Sequence, residues 1–312
     1  MTDQLIDRKL PGAVLAELLG ASKTYGTGRT AVRAVQDVDL TVQAGELLAV
    51  LGPNGAGKTT ALGMLTGLTA PTTGTARLFG KDPRDLAARQ RMGVMLQSSG
   101  VPATLRVGEL LAAFRGYYPA PLSYASAVEA AGLQGLDDRL FGTLSGGQQR
   151  RVLFGLALCG DPELLFVDEP TTGLDTEVRR TLWTTLRRLA AAGRGVVLTT
   201  HYLEEADALA DRIVVLHQGR VIAQGTPSQI KSLVPGRRIS AESSIGADQA
   251  SGWAGVHHAQ RDGARLELLV SEPETVLREL LHRDRSVAGL TVTAPTLEDA
   301  FLTLIHRTKE AA

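Results

Sequence analysis

Asparagine occurs once among the 312 residues, at Asn54, and cysteine once, at Cys159. Asn54 lies inside a glycine-rich loop. That leaves none for the guanine-reading N-K-x-D motif or for the protein-kinase loop H-R-D-x-x-x-x-N, and both are excluded. A lone cysteine excludes an internal disulfide framework and suits a reducing compartment; Cys159 reads most simply as a small buried hydrophobe. Net charge is missing too. Lys plus Arg number 33 and Asp plus Glu 33, which is not the basic footprint of a nucleic-acid binder, so no nucleic-acid partner is expected. Nor does any apolar run approach the ~18 residues of a membrane helix. The longest, "ELLAVLG" and "VLFGLALC", are sized for a strand or a core helix. The opening "MTDQLIDRKL" carries charges throughout and does not read as a signal peptide. A soluble chain is expected, one able to dock on a membrane protein.

What is present is a rhythm of short apolar runs and helical segments. Residues 14 to about 50 alternate apolar and polar positions, as in "VRAVQDVDLTV", and predict strands. "ELLAVLG" reads as a buried strand feeding a glycine-rich turn, and "KTTALGMLTGL" continues at helical spacing. Further apolar strands are predicted at "ELLFVDE", "GVVLTT" and "DRIVVLHQG", with "EVRRTLWTTLRRLAAAG" as a helix between them. Such alternation predicts a mostly parallel sheet covered on both faces. From about 92 to 160 the rhythm breaks into "LRVGELLAAFRGYY", "YASAVEAAGL" and "QQRRVLFGLALCG", read as an inserted helical lobe. After about 236 the composition loosens. "RLELLV", "ETVLRELLHR" and "PTLEDAFLTLI" then predict a small α+β appendage. The expected division is 14–235 and 236–312. Trp183, Trp253 and the leucine-rich faces read as packing.

Three stretches carry chemistry. "GPNGAGKTT" comprises Gly52, Pro53, Asn54, Gly55, Ala56, Gly57, Lys58, Thr59 and Thr60 and fits G-x-x-x-x-G-K-[ST]. Its glycines let backbone N–H groups wrap a triphosphate, Lys58 reaches the β- and γ-phosphates, and the Thr59 hydroxyl is placed for Mg²⁺. "LLFVDEP" delivers Asp168 and Glu169 at the end of a buried strand, where open α/β sheets bind ligands. Asp168 is placed to help hold Mg²⁺ and Glu169 to act as general base for an attacking water. The third stretch, "LSGGQQR", is a second candidate anion site at a helix start, built from Ser145, Gly146, Gly147 and Gln148. It has no lysine or metal ligand of its own. Its alternative is a plain helix N-cap at Ser145.

The phosphate loop, Gln97 in "VMLQSSG", "LSGGQQR", "LLFVDEP", "TTGLD" and His201 in "LTTHYLEEAD" follow one another in an order that resembles the nucleotide-binding subunit of ATP-binding cassette (ABC) transporters. The likeness covers roughly 14–230. "QSSGVPATLRVGELL" and "PTLEDAFLTL" resemble, more weakly, the daunorubicin-resistance-type exporter branch, whose members mostly export drugs, antibiotics or lipids. The resemblance implies a P-loop NTPase core with an antiparallel β subdomain, and ATP with Mg²⁺ as ligands. It implies a homodimer that sandwiches each nucleotide between the phosphate loop of one copy and the serine-glycine loop of the other. It also implies a separate membrane permease and a place on the cytoplasmic face of the membrane. Residue by residue, Tyr25 corresponds to the aromatic that stacks on adenine. Gln97 corresponds to the group that contacts Mg²⁺ or the water and senses the membrane partner. His201 would hold the γ-phosphate, and Asp175 would belong to a loop crossing the dimer interface, unless it is simply a helix cap.

The function expected from all this is ATP hydrolysis powering a permease that exports a drug, antibiotic or lipid. Two other readings compete. A soluble ABC-type ATPase acting on DNA or ribosomes would typically bring two cassettes or a coiled-coil insertion, and this chain has one cassette and no sustained heptads. A non-enzymatic nucleotide sensor is opposed by the presence of both Glu169 and His201.

Overall fold

The computed structural model describes residues 12–97, 100–234 and 236–310. The opening "MTDQLIDRKL" and Ser98 and Ser99 of "QSSG" lie outside the described residues. Two compact units divide between Gln224 and Gly225.

The first unit runs β1 (Val14–Tyr25), β2 (Val32–Gln43), β3 (Leu47–Leu51), α1 (Lys58–Leu65), β4 (Thr73–Leu78), α2 (Leu86–Arg89) and β5 (Met92–Met95). Three helices follow, α3 (Val107–Arg115), α4 (Tyr124–Ala131) and α5 (Gly146–Leu158). The unit closes with β6 (Leu164–Asp168), α6 (Thr176–Ala191), β7 (Gly195–Thr200), α7 (Leu203–Leu209), β8 (Arg212–His217) and β9 (Arg220–Gly225).

A six-stranded sheet in the order β5-β6-β7-β3-β8-β9 forms its centre, and β5·β6, β6·β7, β7·β3 and β3·β8 all pair in parallel. Every residue of β3, β6 and β7 is buried, as expected of apolar strands covered on both faces. Because successive side chains point to opposite faces, Leu47, Leu165, Val167, Val196 and Leu198 join one core, with the helices α3 to α6. Leu48, Val50, Leu164, Phe166 and Val197 join a second core, with α1 and the antiparallel sheet β2-β1-β4. Cys159 is buried in the first core, where desolvation pushes its thiol up to about 11. It behaves as the small hydrophobe expected of it.

One boundary moves. The helical lobe read from about residue 92 begins at α3, because Met92–Met95 is the edge strand β5, in register with Leu164–Val167. A four-residue strand defined only by its partner leaves no local periodicity to read.

The second unit holds α8 (Pro227–Ser232), β10 (Arg237–Glu242), α9 (Ala247–Ser251), β11 (Val256–Asp262), β12 (Arg265–Val270), α10 (Pro273–Arg283), β13 (Ala288–Thr293) and α11 (Leu297–Glu310). The boundary expected near 235 falls after α8, which clusters with this unit. Its antiparallel sheet, ordered β11-β12-β10-β13, backs onto α10 through Ile239, Leu266, Leu268, Val276 and Leu280. Asp284 is its polar hub. It accepts bonds from the hydroxyls of Ser286 and Ser243 and from the N–H groups of Ser244 and Ser286, which hold its carboxyl well below the usual carboxylate range.

Candidate functional site

The loop from Gly52 to Gly57 leaves the C-terminal end of β3 and turns into α1. The Ala56 N–H donates to the Pro53 carbonyl at 3.1 Å and tightens the turn. Two of its glycines are demanded by close neighbours. A Cβ on Gly52 would stand 2.4 Å from the Leu216 carbonyl oxygen. Gly57 has a φ of +104°, and a Cβ there would stand 2.5 Å from the Ala34 carbonyl oxygen. No side chain caps α1, so the backbone donors of its first turn stay available to a ligand. Lys58 opens the helix and is only 7% exposed. Its Nζ donates to the carbonyls of Gly52 (2.6 Å) and Pro53 (3.2 Å). Burial lowers its pKa, and the carboxylates of Glu169 and Asp168 oppose that shift. A cation held this way in low dielectric favours an anionic ligand. Asn54, Gly55 and Thr59 are exposed, Pro53 and Thr60 half-buried.

Asp168 ends β6, Glu169 follows it, and both are buried. The Thr199 hydroxyl donates to Asp168 Oδ1. The Glu169 N–H is shared between the Thr199 carbonyl (3.1 Å) and hydroxyl (3.2 Å). Glu169 lies in the left-handed region at φ +52°, where a non-glycine residue is strained by roughly 1–3 kcal/mol. Its Oε2 meets His201 Nδ1 at 2.6 Å, and the His201 side chain is 47% exposed. The imidazole expected to hold a phosphate therefore already has one nitrogen on the expected base. Next to a carboxylate, Nδ1 carries the proton, and Nε2 is the nitrogen left for a ligand.

Sheet order gathers these groups. The order β5-β6-β7-β3 places Gln97, Asp168 with Glu169, His201 and the loop from Gly52 to Lys58 after the C-terminal ends of four neighbouring parallel strands. Gln97 is exposed there. The oxygens on offer are hard ones: the Thr59 hydroxyl, the Asp168 carboxylate and the Gln97 amide. No cluster of three or more His, Cys, Asp or Glu suited to a metal occurs among the described residues. That donor set fits Mg²⁺, which keeps waters and substrate phosphates in its shell, and does not fit zinc.

The remaining expected residues lie on other elements. Ser145 caps α5 in a reciprocal box: its Oγ accepts from the Gln148 N–H at 3.3 Å and Gln148 Oε1 accepts from the Ser145 N–H at 3.1 Å. Gly146 is exposed and Gly147 half-buried. Asp175 caps α6, accepting from the Val178 N–H at 2.9 Å. For both residues the capping alternative is thus realised within the chain. Tyr25 ends β1, 45% exposed, with Lys23 Nζ 5.2 Å from its ring centre.

Sequence reasoning missed Glu205, on α7. It is 1% exposed and accepts from Trp183 Nε1 at 2.8 Å and from the Thr171 hydroxyl at 3.2 Å. Trp183, read only as packing, also supplies this donor. The available signal was slight: an acidic residue four positions beyond His201 in "HYLEEAD", one among several charges.

The family model described as ABC transporter matches residues 35–172. The Nod factor export ATP-binding protein I of Burkholderia lata is 39% identical over 284 residues, covering 88% of this chain and 92% of that one. The daunorubicin/doxorubicin resistance ATP-binding protein DrrA of Streptomyces peucetius is 38% identical over 305 residues, covering 92% and 91%. Among solved structures, the ATP-binding subunit of an ABC transporter superposes with a TM-score of 0.63 at 29% identity, over 70% of this chain and 92% of that one. A dimeric bacterial ABC transporter cassette gives 0.62 at 27%, over 68% and 98%. The same cassette in a post-hydrolysis state bound to ADP and phosphate matches equally. This chain belongs to the ATP-binding subunits of ABC transporters.

Proposed function

We propose that this ABC ATPase hydrolyses Mg-ATP between two copies of itself and powers a separate membrane permease that exports a drug, antibiotic or lipid. The observation that carries the proposal is the gathering of Lys58, Asp168, Glu169 and His201 at one sheet edge by the order β6-β7-β3. The backbone donors of the loop at 52–60 and Lys58 bind the β- and γ-phosphates, with Tyr25 stacking on the base. Thr59, Asp168 and Gln97 are the groups that would hold Mg²⁺, which neutralises charge on the phosphate oxygens when bound. Glu169 accepts the proton of the attacking water. Oriented by Glu169 through Nδ1, His201 presents Nε2 to the γ-phosphate. Catalysis is positioning plus charge stabilisation.

Ser145, Gly146, Gly147, Gln148 and Asp175 act on the nucleotide of the partner copy. The dimeric cassette among the solved structures supports that arrangement. The permease is read as a separate chain, with this one working peripherally at the cytoplasmic face; no described helix is long and apolar enough to cross a membrane. Export follows the names of the Burkholderia and Streptomyces relatives.

Glu169→Gln in the full chain tests the reading. ATP binding should persist, turnover should fall about 10²- to 10⁴-fold, and a dimer should accumulate in ATP by gel filtration. Turnover within a few-fold of wild type would remove Glu169 from this role.

A further inference from the structure

A buried carboxylate with no cation beside it needs an explanation, since desolvation opposes its charge and hydrogen bonds must make up the difference. Glu205 is such a group: no ion pair reaches it among the described residues. Instead two donors converge on it, one on each oxygen, the Trp183 N–H and the Thr171 hydroxyl. Packing alone would be served as well or better by an apolar side chain of the same size.

The placement of these groups sets this residue apart. Thr171 lies two positions beyond Glu169, on the loop that must hold Glu169 at φ +52°. Glu205 itself stands four positions beyond His201, on the helix that follows β7. Trp183 stands in α6, the helix that Asp175 caps. Glu169 and His201 face each other at 2.6 Å, each just past the end of its strand, where the β6–β7 pairing stops at Asp168 and Thr199 and further contacts must fix their separation. Thr199 does part of this through Asp168 and the Glu169 N–H. Glu205, carried beyond His201 on α7, adds a tie to the Glu169 loop through Thr171. A strained backbone persists only where its surroundings over-determine it, and Glu205 supplies that constraint from α7.

We propose that Glu205 is a positioning residue for hydrolysis: its carboxylate ties Thr171 and Trp183 to α7, the helix that follows His201, and thereby sets the geometry of the Glu169–His201 pair. Among the described residues no hydrogen bond or ion pair joins it to the loop at 52–60. Its effect therefore falls on turnover and spares nucleotide binding. The inference rests on Glu169 as the base.

The test compares kcat with KM for ATP in full-length Glu205→Gln, Trp183→Phe and the double variant, each normalised to folded protein. Glu205→Gln keeps the size but turns an acceptor oxygen into a donor facing donors. It should lower kcat about tenfold or more with KM within about twofold, as expected when reacting groups shift by a fraction of an ångström. Trp183→Phe should lower kcat about threefold with KM unchanged, and the double variant should lose no more than Glu205→Gln alone, because both act through one carboxylate. A kcat for Glu205→Gln within twofold of wild type, losses that multiply in the double variant, or losses that appear equally in KM would each overturn the proposal. If Glu205→Gln does not fold, Trp183→Phe and Thr171→Val carry the same test, and unchanged kcat in both refutes it. Failure here alongside an inactive Glu169→Gln would leave the base assignment standing.

Discussion

Two glycine-rich helix starts in the first unit, at α1 and at α5, look alike in sequence and differ in what their glycines answer to. At α1 the chain itself demands them. Side chains at Gly52 and Gly57 would collide with backbone carbonyls of Leu216 and Ala34, and Gly57 is left-handed. That helix has no side-chain cap, and a buried lysine stands at its first position. At α5 nothing lies within 4 Å of where a Gly146 Cβ would go, and a Gly147 Cβ would meet only Leu174 Cδ2 at an ordinary 3.5 Å. Neither residue has a positive φ, and Ser145 and Gln148 cap the helix reciprocally. The first start is a finished anion pocket. The second is a closed helix end whose two glycines are not required by close neighbours or by positive φ, as would suit the proposed approach of another copy's phosphate.

The strongest way to break that contrast is Lys58→Ala. Losing a charge-assisted bond from a desolvated cation should weaken ATP binding about 100-fold, since such bonds contribute ~1.5–3 kcal/mol each. The melting temperature should hold or rise, because burial of the charged lysine opposes folding. Titration with a fluorescent ATP analogue reads the first effect and a thermal melt the second. Affinity within threefold of wild type would show that the loop binds phosphate by its backbone alone.

A smaller effect sharpens the same contrast by placing one methyl group at each helix start. Gly57→Ala should destabilise the fold by about 2 kcal/mol or more, as alanine is forced to positive φ against a carbonyl. Gly146→Ala should stabilise the isolated chain by about 0.5 kcal/mol, having open space and helical dihedrals. It should nevertheless lower ATP turnover about tenfold, the methyl group standing where the partner's phosphate meets the amides. Urea midpoints and turnover on the same preparations separate the two. Full activity in Gly146→Ala would mean that α5 is only a capped helix.

The contrast also explains what sequence could and could not reveal. The phosphate loop is legible because its glycines, lysine and hydroxyl are contiguous and flanked by an apolar strand and a helical pattern. Asp168 and Glu169 are legible because an apolar run delivers them to a strand end. Ser145 and Asp175 stayed ambiguous between cap and interface, since one side chain can serve both and only the cap lies within a single chain. Glu205 and Thr171 were invisible for another reason. Their connection exists only after β6, β7 and α7 have come together, and no spacing in "HYLEEAD" encodes a partner 34 positions upstream. Met92–Met95 was folded into the helical lobe because its strand character comes from β6 and not from itself.

Ser145 offers the finest discrimination, because its hydroxyl is now known to have a job inside the chain. As a cap it is replaceable. Ser145→Ala should cost about 1 kcal/mol, and Ser145→Asn, which also caps, only a few tenths. In a domain of this size the first amounts to a melting shift of roughly 2–4 °C. If capping were the whole of its role, turnover would follow stability, with asparagine near wild type and alanine slightly impaired. If the hydroxyl also serves a phosphate held by the other copy, asparagine should fall short despite a normal melt, because its longer amide fills the space in front of Gly146 and Gly147. The expected result is a loss of about threefold in turnover for both variants, with only alanine melting lower. Turnover that ranks with melting temperature across the pair would return "LSGGQQR" to being an ordinary helix start.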